Sequence, residues 1–173
     1  NSMKDIAIVR KISVFDFDQT LVNTPLPDQG RIEYEKKTGV KWPHEGWWSK
    51  PLSLDTTIFE MSVVPETIDA YHKEKSSPET LIVMMTGRMS KLSSEVKVIL
   101  DEKGLVFDVY EYNYGGDTLT SKLKTLEKLS QYHNVTEVEL WDDRIPHVEE
   151  FQKWGEAKTH LKFKVNIVNG SYH

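Results

Sequence analysis

Five short apolar runs, each four to six residues long and separated by helical patterns, constrain this chain more than any other feature. They occupy residues 12–17, 81–85, 105–110, 138–141 and 163–168. Runs of this length, apolar on both faces, suit central strands of a parallel sheet covered on both sides. Between them, residues 90–103 place Leu92, Val96, Ile99 and Leu100 on one stripe ahead of Gly104, a residue suited to a helix C-terminus. Residues 118–132 align Leu119, Leu123, Leu126 and Leu129 behind Asp117 or Thr118 as N-cap. Residues 146–154 offer Val148, Phe151 and Trp154, with Pro146 in the first turn. This alternation predicts an α/β fold: an open, doubly wound parallel sheet built from right-handed crossovers.

The stretch from about 23 to 78 breaks the rhythm. It is rich in proline, holds Trp42, Trp47 and Trp48, and carries one evident helix at residues 65–75. We expect one domain over residues 1–173, with this stretch as a flap or small cap inserted after the first strand. The 28% of charged residues beside 38% hydrophobic ones are those of a globular protein, and the net charge of −5 disfavours broad wrapping of a phosphate backbone. It leaves room for a nucleic-acid end held by local contacts. The absence of cysteine excludes disulfides, thiolate zinc sites and cysteine nucleophiles. No apolar run approaches the roughly 20 residues of a membrane span. Lys4, Asp5, Arg10 and Lys11 interrupt any signal stretch, so a cytoplasmic protein without a membrane partner is expected. Asn1 and Ser2, ahead of Met3, read as an expression remnant.

Ligands of open α/β sheets sit beyond the carboxyl ends of the strands. The first run leads into Asp16-Phe17-Asp18-Gln19-Thr20, the second into Thr86-Gly87-Arg88, the fourth into Asp142-Asp143-Arg144. In extended chain Asp16 and Asp18 face one side. One aspartate after a strand is usually a turn former or a helix cap. Four carboxylates at one partly buried edge are different: they repel one another, and one must protonate unless a cation sits among them. Oxygen ligands of this kind suit Mg²⁺. Thr86, with the Gly87 amide opening the next helix, can hold a phosphoryl oxygen.

The segment Asp16 to Thr20 matches the D-x-D-x-T signature of the haloacid dehalogenase (HAD) superfamily. Thr86-Gly87-Arg88 resembles its second motif and Asp142-Asp143 its fourth, in the same chain order. Gly46-Trp47-Trp48, residues 105–108, and Trp141 to Arg144 followed by His147, Glu149, Glu150 and Phe151 resemble the Swiss Army Knife RNA repair-like family. Thr86-Gly87-Arg88 and Asp142-Asp143-Arg144 together are also similar to the polynucleotide 3′-phosphatase domain. The resemblance implies a HAD-like Rossmannoid fold and Mg²⁺-dependent hydrolysis of a phosphomonoester through an aspartyl-phosphate. It implies Asp16 as nucleophile and Asp18 as general acid and base, with Thr86, Gly87 and Arg88 on the phosphate. The metal would take the Asp16 carboxylate, the Asp18 backbone carbonyl and Asp142, with Asp143 direct or through water.

A nucleotide or a polynucleotide end is the implied substrate; a small metabolite is the rival. A non-catalytic phosphate-binding module is the rival of another class, and the presence of both Asp16 and Asp18 counts against it. The superfamily's third motif supplies a lysine, for which Lys122 and Lys124 are candidates; Lys122 borders the leucine stripe and is preferred. Gln19 stands where many relatives have glycine. Arg88 either grips phosphate or pairs with Asp142 or Asp143, and Arg144 is expected to tie down its loop. The three tryptophans of the insertion either stack nucleobases or pack the flap. His133, His147 and His160 show no ligand spacing.

Overall fold

A computed structural model describes residues 5–132 and 134–172. The proposed remnant at Asn1 and Ser2 and the histidine His133 lie outside the described residues. Five parallel strands form one sheet in the order β3-β2-β1-β4-β5: β1 (Lys11–Phe15), β2 (Thr80–Met89), β3 (Val109–Asn113), β4 (Glu137–Arg144) and β5 (Lys162–Ser171). The predicted doubly wound class is therefore the observed one. From β1 the chain steps outward to β2 and β3, then crosses back to β4 and β5. Right-handed crossovers in opposite directions put their helices on opposite faces. Accordingly α2 (Pro65–Lys75) and α3 (Ser93–Glu102) share one apolar cluster with Phe15, Ile82 and Met84. The helices α4 (Thr118–Ser130) and α5 (Ile145–Glu156) share the other with Val14, Val83 and Leu140. The strand order reverses between β1 and β4, and a crevice opens beyond their carboxyl ends.

Helix ends follow the local chemistry. Asp117 caps α4 by accepting from the Thr120 amide at 3.1 Å, and Gly104 takes φ +73° after α3. The run at 105–110, expected as a strand, enters the sheet only from Val109. Leu105 and Phe107 are buried as a strand's residues would be, but in a connecting loop. Hydrophobicity reports burial, and a buried loop reads like a buried strand. One backbone bond remains, the Asp108 amide donating to the Ile82 carbonyl at 2.9 Å, and side chains supply the rest: the Asp108 carboxylate accepts from the Ile82 amide at 2.8 Å, and the Tyr71 hydroxyl joins both the amide and the carbonyl of Val106.

A helix absent from the expectations, α1 (Pro27–Thr38), lies in the segment after β1. Its residues form no apolar stripe, because Gly30 is its only buried one. Gly30 meets the Trp47 indole so closely that a β-carbon there would lie 2.1 Å from the ring. Trp47 is 3% exposed, donates to the Pro25 carbonyl, and packs on Trp42 and Phe59. It clips α1 onto the α2–α3 side of the core. Trp47→Ala is expected to cost about 3–5 kcal/mol, as truncation of a buried large aromatic does. Denaturant unfolding monitored by circular dichroism measures it; an unchanged midpoint would contradict this packing role. Among the described residues no helix is long and apolar enough to cross a membrane.

Candidate active site

The crevice holds the charged residues that three strand ends deliver. Strand β1 stops at Phe15, but its ladder continues one step, with the Asp16 amide donating to the Trp141 carbonyl at 3.0 Å. The chain then curls tightly, the Phe17 carbonyl accepting from the amides of Thr20, Leu21 and Val22. Gln19 sits at the bend with φ 61°, in the left-handed region that favours glycine. That accounts for the departure at this position: glycine enters the region freely, whereas glutamine needs support. Support comes from its own side chain, which donates to the Thr24 carbonyl, and from Asn169, which donates to the Gln19 carbonyl at 2.8 Å.

Asp16 is buried and held at both oxygens. Lys122 donates to one at 2.9 Å and Thr20 to the other at 2.9 Å. The same ammonium donates to Asp142 at 2.7 Å, so Lys122 ties β1 to β4 from the second turn of α4. Lys124 is exposed on the opposite flank. Asp142 also accepts from the Arg144 amide at 3.0 Å, and Arg144 lines the cavity beside it. Carboxylate oxygens of Asp16, Asp142 and Asp143 lie within 4.8 Å of one another, as a shared cation would require.

Asp18 points elsewhere. Arg88 grips it through Nε at 3.1 Å and Nη2 at 2.7 Å, and the Thr24 hydroxyl donates to it at 2.5 Å. The structural pair expected of Arg88, with Asp142 or Asp143, is therefore corrected: its carboxylate partner is Asp18. Its Nη1 donates to the Trp48 carbonyl at 2.9 Å and to the Ser53 hydroxyl at 2.7 Å. A second correction concerns Gly87, which opens no helix. Thr86, Gly87 and Arg88 continue β2, and the chain turns helical only at Ser90. The Thr86 hydroxyl accepts from the Arg88 amide at 3.0 Å. A β-carbon on Gly87 would lie 2.4 Å from Thr118, so its bareness lets β2 pass against the start of α4.

Electrostatics follow from a surplus of negative charge. Burial pushes the Asp16 carboxyl well above the usual carboxylate range, and the charge of Asp142 adds to this while Lys122 opposes it. Burial and Asp142 likewise push Asp143 up to about 6. Burial would lower the Lys122 ammonium, but the charges of Asp142 and Asp16 outweigh it and raise it. Asp18 goes the other way: burial would raise it, yet the charge and hydrogen bonds of Arg88, helped by Thr24, hold it low. His147, on α5, is pushed down to about 4 by burial and by the charges of Arg144 and Lys122, so it is neutral near pH 7. His160 is exposed.

A cavity of about 120 Å³ lies among these groups, lined by Asp16, Asp18, Lys122 and Asp143, with Trp48, Gly87, Thr118 and Arg144. The neighbouring tryptophans thus part company: Trp47 is core, whereas the Trp48 ring stands at the cavity, 5.0 Å from the Arg88 guanidinium. Thr20, Thr24 and Ser53 were not singled out from sequence; only Thr20 had a signal, as the last residue of D-x-D-x-T.

Comparison with known proteins supports the same family. One uncharacterised protein of Saccharomyces cerevisiae, YMR265C, is 22% identical over 170 residues, covering 84% of this chain and 37% of its own length. A chain in the structure of the Pnkp1/Rnl/Hen1 complex superposes with a TM-score of 0.58 at 15% identity, over 96% of this chain and 47% of that one. The HAD domain of the Legionella pneumophila effector protein Lem4, in an inactive mutant, superposes with a TM-score of 0.54 at 12% identity, over 92% and 85%. These superpositions show a shared fold. This chain spans less than half the length of the first two relatives. The family described as HAD domain family 1 in Swiss Army Knife RNA repair proteins matches residues 36–171, a span that takes in Thr86, Lys122, Asp142 and Asp143 and begins after Asp16 and Asp18. The chain belongs to that family of HAD domains.

Proposed function

We propose that this chain is a Mg²⁺-dependent phosphomonoesterase that works through an aspartyl-phosphate on Asp16, acting on a nucleotide or a nucleic-acid terminal phosphate. The observation that carries the proposal is a buried carboxylate fixed at both oxygens, beside two further carboxylates, at the wall of a phosphate-sized cavity. Four buried aspartates crowd the crevice beside Lys122, Arg88 and Arg144, so negative charge is in excess and the oxygen donor set fits a divalent cation. Asp16, Asp142 and Asp143, with the Asp18 carbonyl, would hold it. When bound, the ion neutralises charge on a phosphoryl oxygen.

Lys122 and Thr20 keep the Asp16 carboxylate aimed, sparing the rotational freedom it would otherwise lose on attack. An Asp16 oxygen bonds to phosphorus as the ester oxygen leaves, taking a proton from protonated Asp18. Water then gives a proton back to Asp18 and attacks the same phosphorus, releasing Asp16 and inorganic phosphate. Arg88 draws Asp18 toward its ionised form, which favours the water-activating half of this cycle. Thr86 and Gly87 stand beside Arg88 on β2 and would help to seat the phosphoryl group. In this reading the chain works as one domain, the insertion at about 23–78 serving as a flap or small cap.

Trp48 and Arg144 both line the cavity, and the leaving group would extend past them. An aromatic ring and a guanidinium at one cavity are the chemistry of a nucleobase beside a phosphodiester. The test is turnover with Mg²⁺ of 3′-phosphorylated oligonucleotides, nucleotides and sugar phosphates by the wild type and by Trp48→Ala. Loss of one stacked base is expected to lower oligonucleotide kcat/KM by about tenfold, from the roughly 1–3 kcal/mol that stacking contributes. Sugar phosphates should fall far less. Equal losses on all substrates would count against base stacking by Trp48.

A further inference from the structure

We infer that the segment around Trp48 and Ser53 is part of the acid–base machinery, with Ser53 as a positioning residue that acts on Asp18 through Arg88. The inference rests on the phosphatase reading above and adds a component to it. Arg88 has five N–H donors in one rigid plane. Four of them are placed: Nε and one Nη2 hydrogen on Asp18, and two Nη1 hydrogens on the Trp48 carbonyl and the Ser53 hydroxyl. Because the guanidinium is planar, fixing the Nη1 end fixes the angle at which the other edge meets Asp18.

Ser53 is suited to that task. It is fully buried, and its hydroxyl donates to the Lys50 carbonyl at 2.7 Å, which leaves its lone pairs for Arg88. It sits in a short 3-10 turn, Pro51–Leu54, whose Leu54 is buried in the α2–α3 cluster. The Trp48 indole covers the guanidinium from one side. So the inserted segment reaches the catalytic pair from outside the sheet and sets its geometry. Arg88, engaged in this way, connects the cap to Asp18 and has one N–H left for a substrate. A segment that left its seat would release the Nη1 end of Arg88 and free Asp18 to rotate.

The test uses Ser53→Ala and two probe esters, an alkyl phosphate and nitrophenyl phosphate, with Mg²⁺. A general acid turned out of line slows departure of a poor leaving group and hardly affects a good one. Expected is a fall of about tenfold or more in kcat/KM for the alkyl ester, with the nitrophenyl ester nearly unchanged. Equal falls on both would overturn the inference, since general loosening of the fold does not distinguish leaving groups. Ser53→Cys, of similar volume with a weak acceptor, replaces the alanine variant if that fails to fold. A second measurement needs no turnover: the Arg88 Nε–H signal in the nuclear magnetic resonance spectrum should exchange slowly with water in the wild type and faster in Ser53→Ala. Unaltered exchange would also overturn the inference. Absence of all phosphatase turnover in the wild type would instead sink the phosphatase reading, and the Arg88 signal would still decide whether Ser53 holds the fork.

Discussion

Asp16→Asn is expected to lower phosphatase turnover by at least about four orders of magnitude while leaving the fold intact. Removing one member of a catalytic unit costs about as much as removing the whole, and here the member is the atom that bonds phosphorus. An amide oxygen lacks the charge to displace an ester oxygen. Structurally the substitution is mild. Asparagine has nearly the same volume, its oxygen can still accept from Lys122 or Thr20, and Lys122 keeps its contact with Asp142 at 2.7 Å. It also removes one negative charge from a buried group in which aspartates outnumber cations. Metal-free Asp16→Asn should therefore unfold at a temperature no lower than the wild type. Calorimetry and a steady-state assay on the same preparation check both halves. Turnover within tenfold of wild type would exclude Asp16 as nucleophile; lost turnover with a collapsed thermal midpoint would point to a structural role.

What the sequence made legible was whatever depends on periodicity. Residues 65–75 carry a helix within the insertion and form α2, and the leucine stripe after Asp117 forms α4. The chain order of the acidic motifs already placed them at strand ends. What stayed hidden depends on contacts between distant residues. Helix α1 was invisible because it buries a single glycine against a tryptophan ring, and no stripe records that. Arg88 and Asp18 are 70 positions apart, and nothing in either neighbourhood distinguishes Asp18 from Asp142 or Asp143 as a partner. Trp47 and Trp48 looked like one feature. They sit in a turn closed by the Lys50 amide on the Trp47 carbonyl, and there one ring enters the core while the other reaches the cavity. Ser53 and Thr24 are short hydroxyls in irregular chain, a pattern too common to signal a task.

Removal of divalent metal should abolish activity, and Mg²⁺ should restore it, for a reason visible in the charge count. Four buried aspartates face Lys122, Arg88 and Arg144, and burial with mutual repulsion raises Asp16 and Asp143 above the usual carboxylate range. Lys122 bridges Asp16 and Asp142, and the excess negative charge of the cluster borders the cavity through Asp16 and Asp143. A divalent cation would cancel it. Binding to the folded state alone stabilises by mass action, about 2.7 kcal/mol at a hundred times the dissociation constant. The thermal midpoint of EDTA-treated protein should thus climb with added Mg²⁺, in step with recovered turnover. Asp142→Asn, which keeps volume at a fully buried position, should abolish both the climb and the recovery. The two readouts separate the possibilities. A midpoint that rises without activity would place a metal here and deny it this chemistry. Full activity in EDTA, with metal shown absent by elemental analysis, would mean that Lys122 and Arg88 neutralise the phosphoryl group unaided, and the aspartate cluster would need another explanation.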